Sequence, residues 1–274
     1  MRRVTLEVGG RRWRARIDDA VRLSIPLDFD DAQPKAFGLP EAAAEPIVFD
    51  DTVSDTERGG PFNCQSLRFI PHGNGTHTES AGHVVSQEIA VGELVREALL
   101  PSTVLTVEPS VLGEVDETYT RAGKPDDAVI TREALASRAS ALGLPEGFLR
   151  GLVIRTSPND IEKRQRDYSG TNPPYLTVEA VDWVREQGVE HLLVDTPSID
   201  REKDGGALAN HRAFWGIEED AATRPVGRRG TITEMIFVPD SVPDAVYFLN
   251  IQVPDFASDA APSRPLLYEA VSAK

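Results

Sequence analysis

Between Phe69 and His83 the chain reads FIPHGNGTHTESAGH, a stretch that holds Glu79 and three of the protein's five histidines, His72, His77 and His83. Imidazole and carboxylate are the usual ligands of zinc, manganese or iron. In an extended strand the spacing His77-x-Glu79 places both side chains on one face. Gly73, Gly75 and Gly82 allow the turns that bring His72 or His83 near them. In a chain so poor in histidine, this cluster reads as a metal site. His72 follows a proline in a loop, where an imidazole bonds a backbone carbonyl as readily as a metal, so both roles stand open.

A second group lies downstream. Val194-Asp195-Thr196-Pro197-Ser198-Ile199-Asp200 leaves an apolar strand beginning at His191, and its C-terminal end is where α/β sheets hold ligands. His211 follows, and then Glu234 within Thr231–Val238. Strict alternation puts Ile232, Glu234 and Ile236 on one face, where a carboxylate is costly to bury unless paired or metal-bound. Asp195 and Asp200 are expected to organise the turn through local backbone hydrogen bonds. His191 is expected to be exposed, Trp183 to lie in the core, and Phe214 and Trp215 to line a substrate pocket beside His211. Cys64, the only cysteine, excludes a disulfide framework and a thiolate cluster and reads as a packing residue.

The elements that must position these groups alternate between the two periods. Leu67–Ile70 delivers the chain into the histidine segment as a strand. Apolar spacing predicts a helix over Glu88–Leu100, then a strand over Thr103–Val107. Thr131 and Thr177 stand as N-caps of two helices, running toward Gly143 and Gly188 respectively. Gly151–Thr156 and His191–Asp195 read as buried strands, and Thr231–Val238 and Ala245–Val253 as two late ones. At the N-terminus, alternation around Gly9-Gly10 predicts a hairpin with its arginines on the wet face. Strands alternating with helices predict an α/β fold in one domain over 1–274, with the hairpin as an extension over 1–22.

The net charge of −15 argues against a nucleic-acid partner, which calls for a basic patch. No run is long and apolar enough to span a bilayer, and no apolar segment follows the N-terminal arginines as in a signal peptide. The expectation is a cytoplasmic protein without a membrane partner.

Gly75-Thr76-His77-Thr78-Glu79 with His83 six residues after His77, then Val194-Asp195-Thr196-Pro197-Ser198-Ile199-Asp200 and His211, resembles the cyclase family of metal-dependent hydrolases. Kynurenine formamidase and isatin hydrolase are members of it. The family's motifs read H-x-G-T-H-x-D-x-P-x-H and I-D-T-P-S-x-D, with a histidine and a glutamate downstream, and the likeness runs from about Leu23 to Val253. It implies a swivelling β/β/α fold with a mixed sheet or barrel-like core and flanking helices. It implies that His77, Glu79, His211 and Glu234 hold one or two divalent ions, zinc or manganese, and that His83 transfers protons. A small-molecule substrate and a homo-oligomer follow from the same resemblance. The activity it implies is arylformamidase-like hydrolysis of a small cyclic or aryl amide. The alternatives are a metal-dependent cyclase or dehydratase, and a non-catalytic relative that binds a metabolite.

The chain departs from the pattern at several places. Gly73 stands where the family has its leading histidine, and His72 is one residue away. Glu79 replaces Asp, and Ser80-Ala81-Gly82 replaces a segment containing proline. An acidic insertion runs from Glu218 to Arg229. The Gly73-Asn74-Gly75 run is expected to absorb the extra residue as a bulge and aim His72 at the metal.

Overall fold

A computed structural model describes residues 2–217 and 229–273. The insertion from Glu218 to Arg229, whose three carboxylates are matched by three arginines, therefore lies, apart from Arg229, outside the described residues. A mixed sheet of eleven strands runs through the described residues. Its centre is parallel: Leu100–Val107, Gly151–Thr156, His191–Val194 and Thr231–Glu234 lie side by side in that order. Beyond Thr231–Glu234 the sheet turns antiparallel, through His77–Glu79 and then Ala260–Pro262. At the other end Val246–Asn250 and Leu266–Ser272 lead to the N-terminal hairpin, Arg3–Val8 with Arg11–Arg16. Gly9 and Gly10 both adopt positive φ, as a two-residue turn between twisted strands requires.

The buried strands alternate between two cores. Leu105, Leu152, Ile154, Leu192, Val194 and Ile232 pack under the helices, whereas Leu100, Val104, Val153, Leu193 and Leu249 face the opposite side. The helices are α1 (Arg132–Leu142), α2 (Val178–Glu186) and α3 (Ala209–Trp215). Thr131 and Thr177 cap α1 and α2 by accepting from Ala134 N and Ala180 N, each at 3.1 Å. Trp183 lies in the helix-side core as expected. Among the described residues no helix is long and apolar enough to cross a membrane.

Three local expectations are corrected. Glu88–Leu100 forms no α-helix: only a 3-10 turn at Val91–Glu93 appears, and Leu100 already opens a strand. Tertiary bonds claim that backbone instead, with Val91 N donating to Ser258 O and Ile89 O accepting from Ser80 Oγ. The strand at Thr231 stops at Glu234 because Met235 takes φ 52°. Ile232 and Ile236 consequently fall in different cores. His191 is buried, its Nδ1 2.8 Å from Thr231 Oγ1.

Candidate metal centre

The antiparallel register assembles the first half of the centre. Glu234 pairs with His77, and Ile232 with Glu79. Residues directly opposite one another share a face, so His77, Glu79 and Glu234 project together toward the helix side, as Ile232 does. Thr78 projects the other way, its Oγ1 2.8 Å from Thr233 Oγ1. Thr76 fixes the entry to this strand: its hydroxyl accepts from Ile25 N at 2.9 Å and donates to Met235 O at 2.6 Å. After the strand, Ser80 Oγ accepts from Gly82 N, and the 3-10 turn Ala81–His83 brings His83 back over Glu79.

α3 supplies the fourth group. The Asp200 carboxylate accepts from Asn210 N and His211 N at 2.8 and 3.0 Å, and its Oδ2 lies 2.6 Å from His211 Nδ1. Asp200, expected to organise its own turn through local bonds, instead holds the first amides of α3 and also sets the imidazole. His211 Nε2 then points at the carboxylates, 2.8 Å from Glu79 Oε1 and 3.5 Å from Glu234 Oε1. His77 Nδ1 bonds Gly75 O at 3.1 Å, leaving Nε2 3.4 Å from Glu234 Oε2. Ile199 N donates to Glu234 Oε1 at 2.9 Å.

His72 and His83 lie on the open side, each side chain 26% exposed, and their rings stack with centroids 4.0 Å apart. His72 Nδ1 is 3.0 Å from Glu79 Oε2. His83 Nε2 is 4.0 Å from the same oxygen. Sequence reasoning missed Asp259, whose Oδ2 lies 2.9 Å from His72 Nε2 and 3.6 Å from His83 Nδ1. It precedes Ala260–Pro262, a pairing no local pattern announces.

Four buried atoms meet here without a hydrogen-bond partner: His77 Nε2, both Glu79 oxygens and His211 Nε2. The 2.8 Å approach of His211 to Glu79 is short but is not aligned as a hydrogen bond. Each such group left unsatisfied costs about 1–3 kcal/mol, and more where it is charged. Ligand atoms within 4.8 Å of one another fall into the sets His72/His77/Glu79, Glu79/His211/Glu234 and His72/His83/Asp259. One or two divalent cations fit these nitrogen and oxygen donor sets and answer the orphaned atoms.

The electrostatics suit it. Burial opposes ionisation of Glu79, but the His211 charge and the contacts with His211 and His72 hold its carboxyl well below the usual range. Burial likewise opposes ionisation of Glu234, and His211 and His77 lower it nonetheless. Carboxylates that are ionised at neutral pH are ready to ligate. Burial disfavours protonated His72, yet Asp259 and Glu79 raise it to about 9, so an ion would bind there by displacing the Nδ1 proton.

Other expected residues fall elsewhere. Asp195, expected to organise its turn through local bonds, instead pairs with Lys163 at 2.8 Å and accepts from Thr156, outside the cluster and in the wall of a cavity of about 580 Å³. Phe214 and Trp215, expected to line a substrate pocket, are wholly buried instead, and Trp215 backs the His211 ring at 5.8 Å.

The model of a family described as putative cyclase matches residues 21–201. No curated protein matches the chain. Among solved structures, isatin hydrolase A from Labrenzia aggregata bound to benzyl benzoate is 18% identical, with TM-score 0.60, over 93% of this chain and 94% of that one. A predicted metal-dependent hydrolase from Bacillus stearothermophilus is 16% identical, with TM-score 0.57, over 91% and 98%. Isatin hydrolase A from Ralstonia solanacearum is 17% identical, with TM-score 0.58, over 91% of each chain. At these identities the likeness is one of fold.

Proposed function

Since the chain belongs to the putative cyclase family, we propose that it is a metal-dependent hydrolase that opens the amide of a small cyclic or aryl substrate. The observation that carries this reading is the cluster of unpartnered buried His77, Glu79 and His211 atoms, which fall in two adjoining ligand sets that share Glu79. His77, Glu79, His211 and Glu234 would hold one or two ions, with His72 joining from the open side. A divalent ion there supplies Lewis acidity, which lowers the pKa of water toward ~7 and polarises a carbonyl.

The remaining work falls to side chains of the chain. Asp200 fixes the His211 ring so that Nε2 faces inward. The Ile199 amide holds one Glu234 oxygen in place. Among the described residues of the cluster His72, His83 and Asp259 are the partly exposed ones, so substrate would arrive on that side. There His83, whose Nε2 lies 4.0 Å from Glu79 Oε2, would pass a proton to the departing nitrogen, the group whose protonation amide cleavage requires. The isatin hydrolase neighbours support a small ring amide as the substrate class.

The test is hydrolysis of isatin and of N-formylkynurenine by purified protein loaded with zinc or manganese, followed by ring-opened or deformylated product. Activity that disappears with a chelator and returns with metal is expected. A metal-loaded protein inert toward both would redirect the assignment to the second reading, a cyclase or dehydratase, which the family's description favours.

A further inference from the structure

His72 reaches the centre although Gly73 occupies the place where the family pattern puts a histidine. Residue 73 faces elsewhere: a β-carbon there would stand 2.3 Å from Leu39 Cδ1. What keeps His72 turned inward needs its own account, because its ring is partly exposed and comes from a loop. The other two imidazoles are each held on one nitrogen by an oxygen, His77 Nδ1 by Gly75 O and His211 Nδ1 by Asp200, which leaves the second nitrogen aimed at Glu79 or Glu234. His72 repeats the arrangement with its nitrogens exchanged: Nε2 bonds Asp259 Oδ2 at 2.9 Å while Nδ1 faces Glu79.

We propose that Asp259 is a positioning residue that makes the displaced His72 a metal ligand, doing for it what Asp200 does for His211. By accepting from Nε2–H it fixes the tautomer that leaves the Nδ1 lone pair for the ion, the usual role of a carboxylate behind a ligating histidine. The backbone is shaped for this contact. Ser80 N donates to Asp259 O at 2.8 Å, which anchors the residue beside the ligand strand. Gly82 admits it, since a β-carbon at 82 would stand 2.9 Å from Asp259 Cβ. One acidic residue thereby compensates for the one-residue shift of the histidine.

This inference rests on the metal-centre reading, and calorimetric titration of metal-free protein with zinc separates the two. In wild type, zinc binding is expected. Asp259→Asn is expected to weaken at least one binding event by about 10- to 100-fold, the usual loss when such a carboxylate is removed. In a His72→Ala background, the same change is expected to have no further effect. Asp259→Ala gives the same readout should the asparagine variant fail to fold. Wild-type affinity in Asp259→Asn, or an equal loss with and without His72, overturns the inference while the metal centre stands. Absence of zinc binding by wild type overturns both.

Discussion

His83 differs from the other imidazoles of the cluster in its distances: its nearest carboxylate oxygens lie 3.6 and 4.0 Å away. On the proposed reading His83 moves protons beside the metal and does not hold it. His83→Ala is expected to keep its metal and to lower kcat by about 10²–10⁴-fold, the usual worth of a positioned acid or base. Metal loss in parallel with activity would make His83 a ligand. At this scale much was legible, because His77 and Glu79 are two apart on a strand, and Glu234 sits in an apolar run that cannot bury a lone charge. Asp259 was not legible. It lies in Ala257-Ser258-Asp259-Ala260, far along the chain, and only a non-local strand pairing brings it to His72.

Elements were readable where local chemistry set their ends, as at Thr131, Thr177 and the Gly9-Gly10 turn. They were not where tertiary contacts overrode the period. Met235 breaks the strand after Glu234 so that its amide can meet Thr196 O, and no pattern foretold that kink. The His191–Val194 strand carries a comparable surprise, since its first residue is buried. Burial disfavours the imidazolium and lowers His191 to about 4, although Glu190 and Glu97 pull the other way. The unfolded chain takes up this proton near pH 6.5, the folded one only near 4. The neutral His191 therefore leaves stability intact above about pH 6.5 and erodes it as pH falls toward 4, by on the order of 3 kcal/mol in full. Urea midpoints measured in chelator between pH 7 and 5 should fall less steeply for His191→Gln than for wild type. Equal slopes would show that His191 titrates alike in both states.

Across the whole molecule, the centre joins segments remote in sequence: His77–Glu79, Thr231–Glu234 and α3. Only the folded chain brings these ligands together, so metal binding is linked to folding. At zinc 100 times its Kd the linkage is worth about 2.7 kcal/mol, or about 5–10 °C in Tm for a chain of this size. Differential scanning calorimetry should show a Tm lower by that amount after chelation, recovered with zinc; an unchanged Tm would mean that no tight site spans these segments. The alternation of strands and helices made the α/β architecture readable, but the order of strands in the sheet is set by long-range pairing and was not.

The central claim is that His77, Glu79, His211 and Glu234 hold one or two catalytic divalent ions, and elemental analysis of purified wild type and His77→Ala by atomic emission tests it most directly. Wild type should carry one or two equivalents of a divalent transition metal, and His77→Ala, folded by circular dichroism, should lose most of it. Full occupancy in the variant, or a wild type that takes up no metal when zinc or manganese is supplied, would contradict the account.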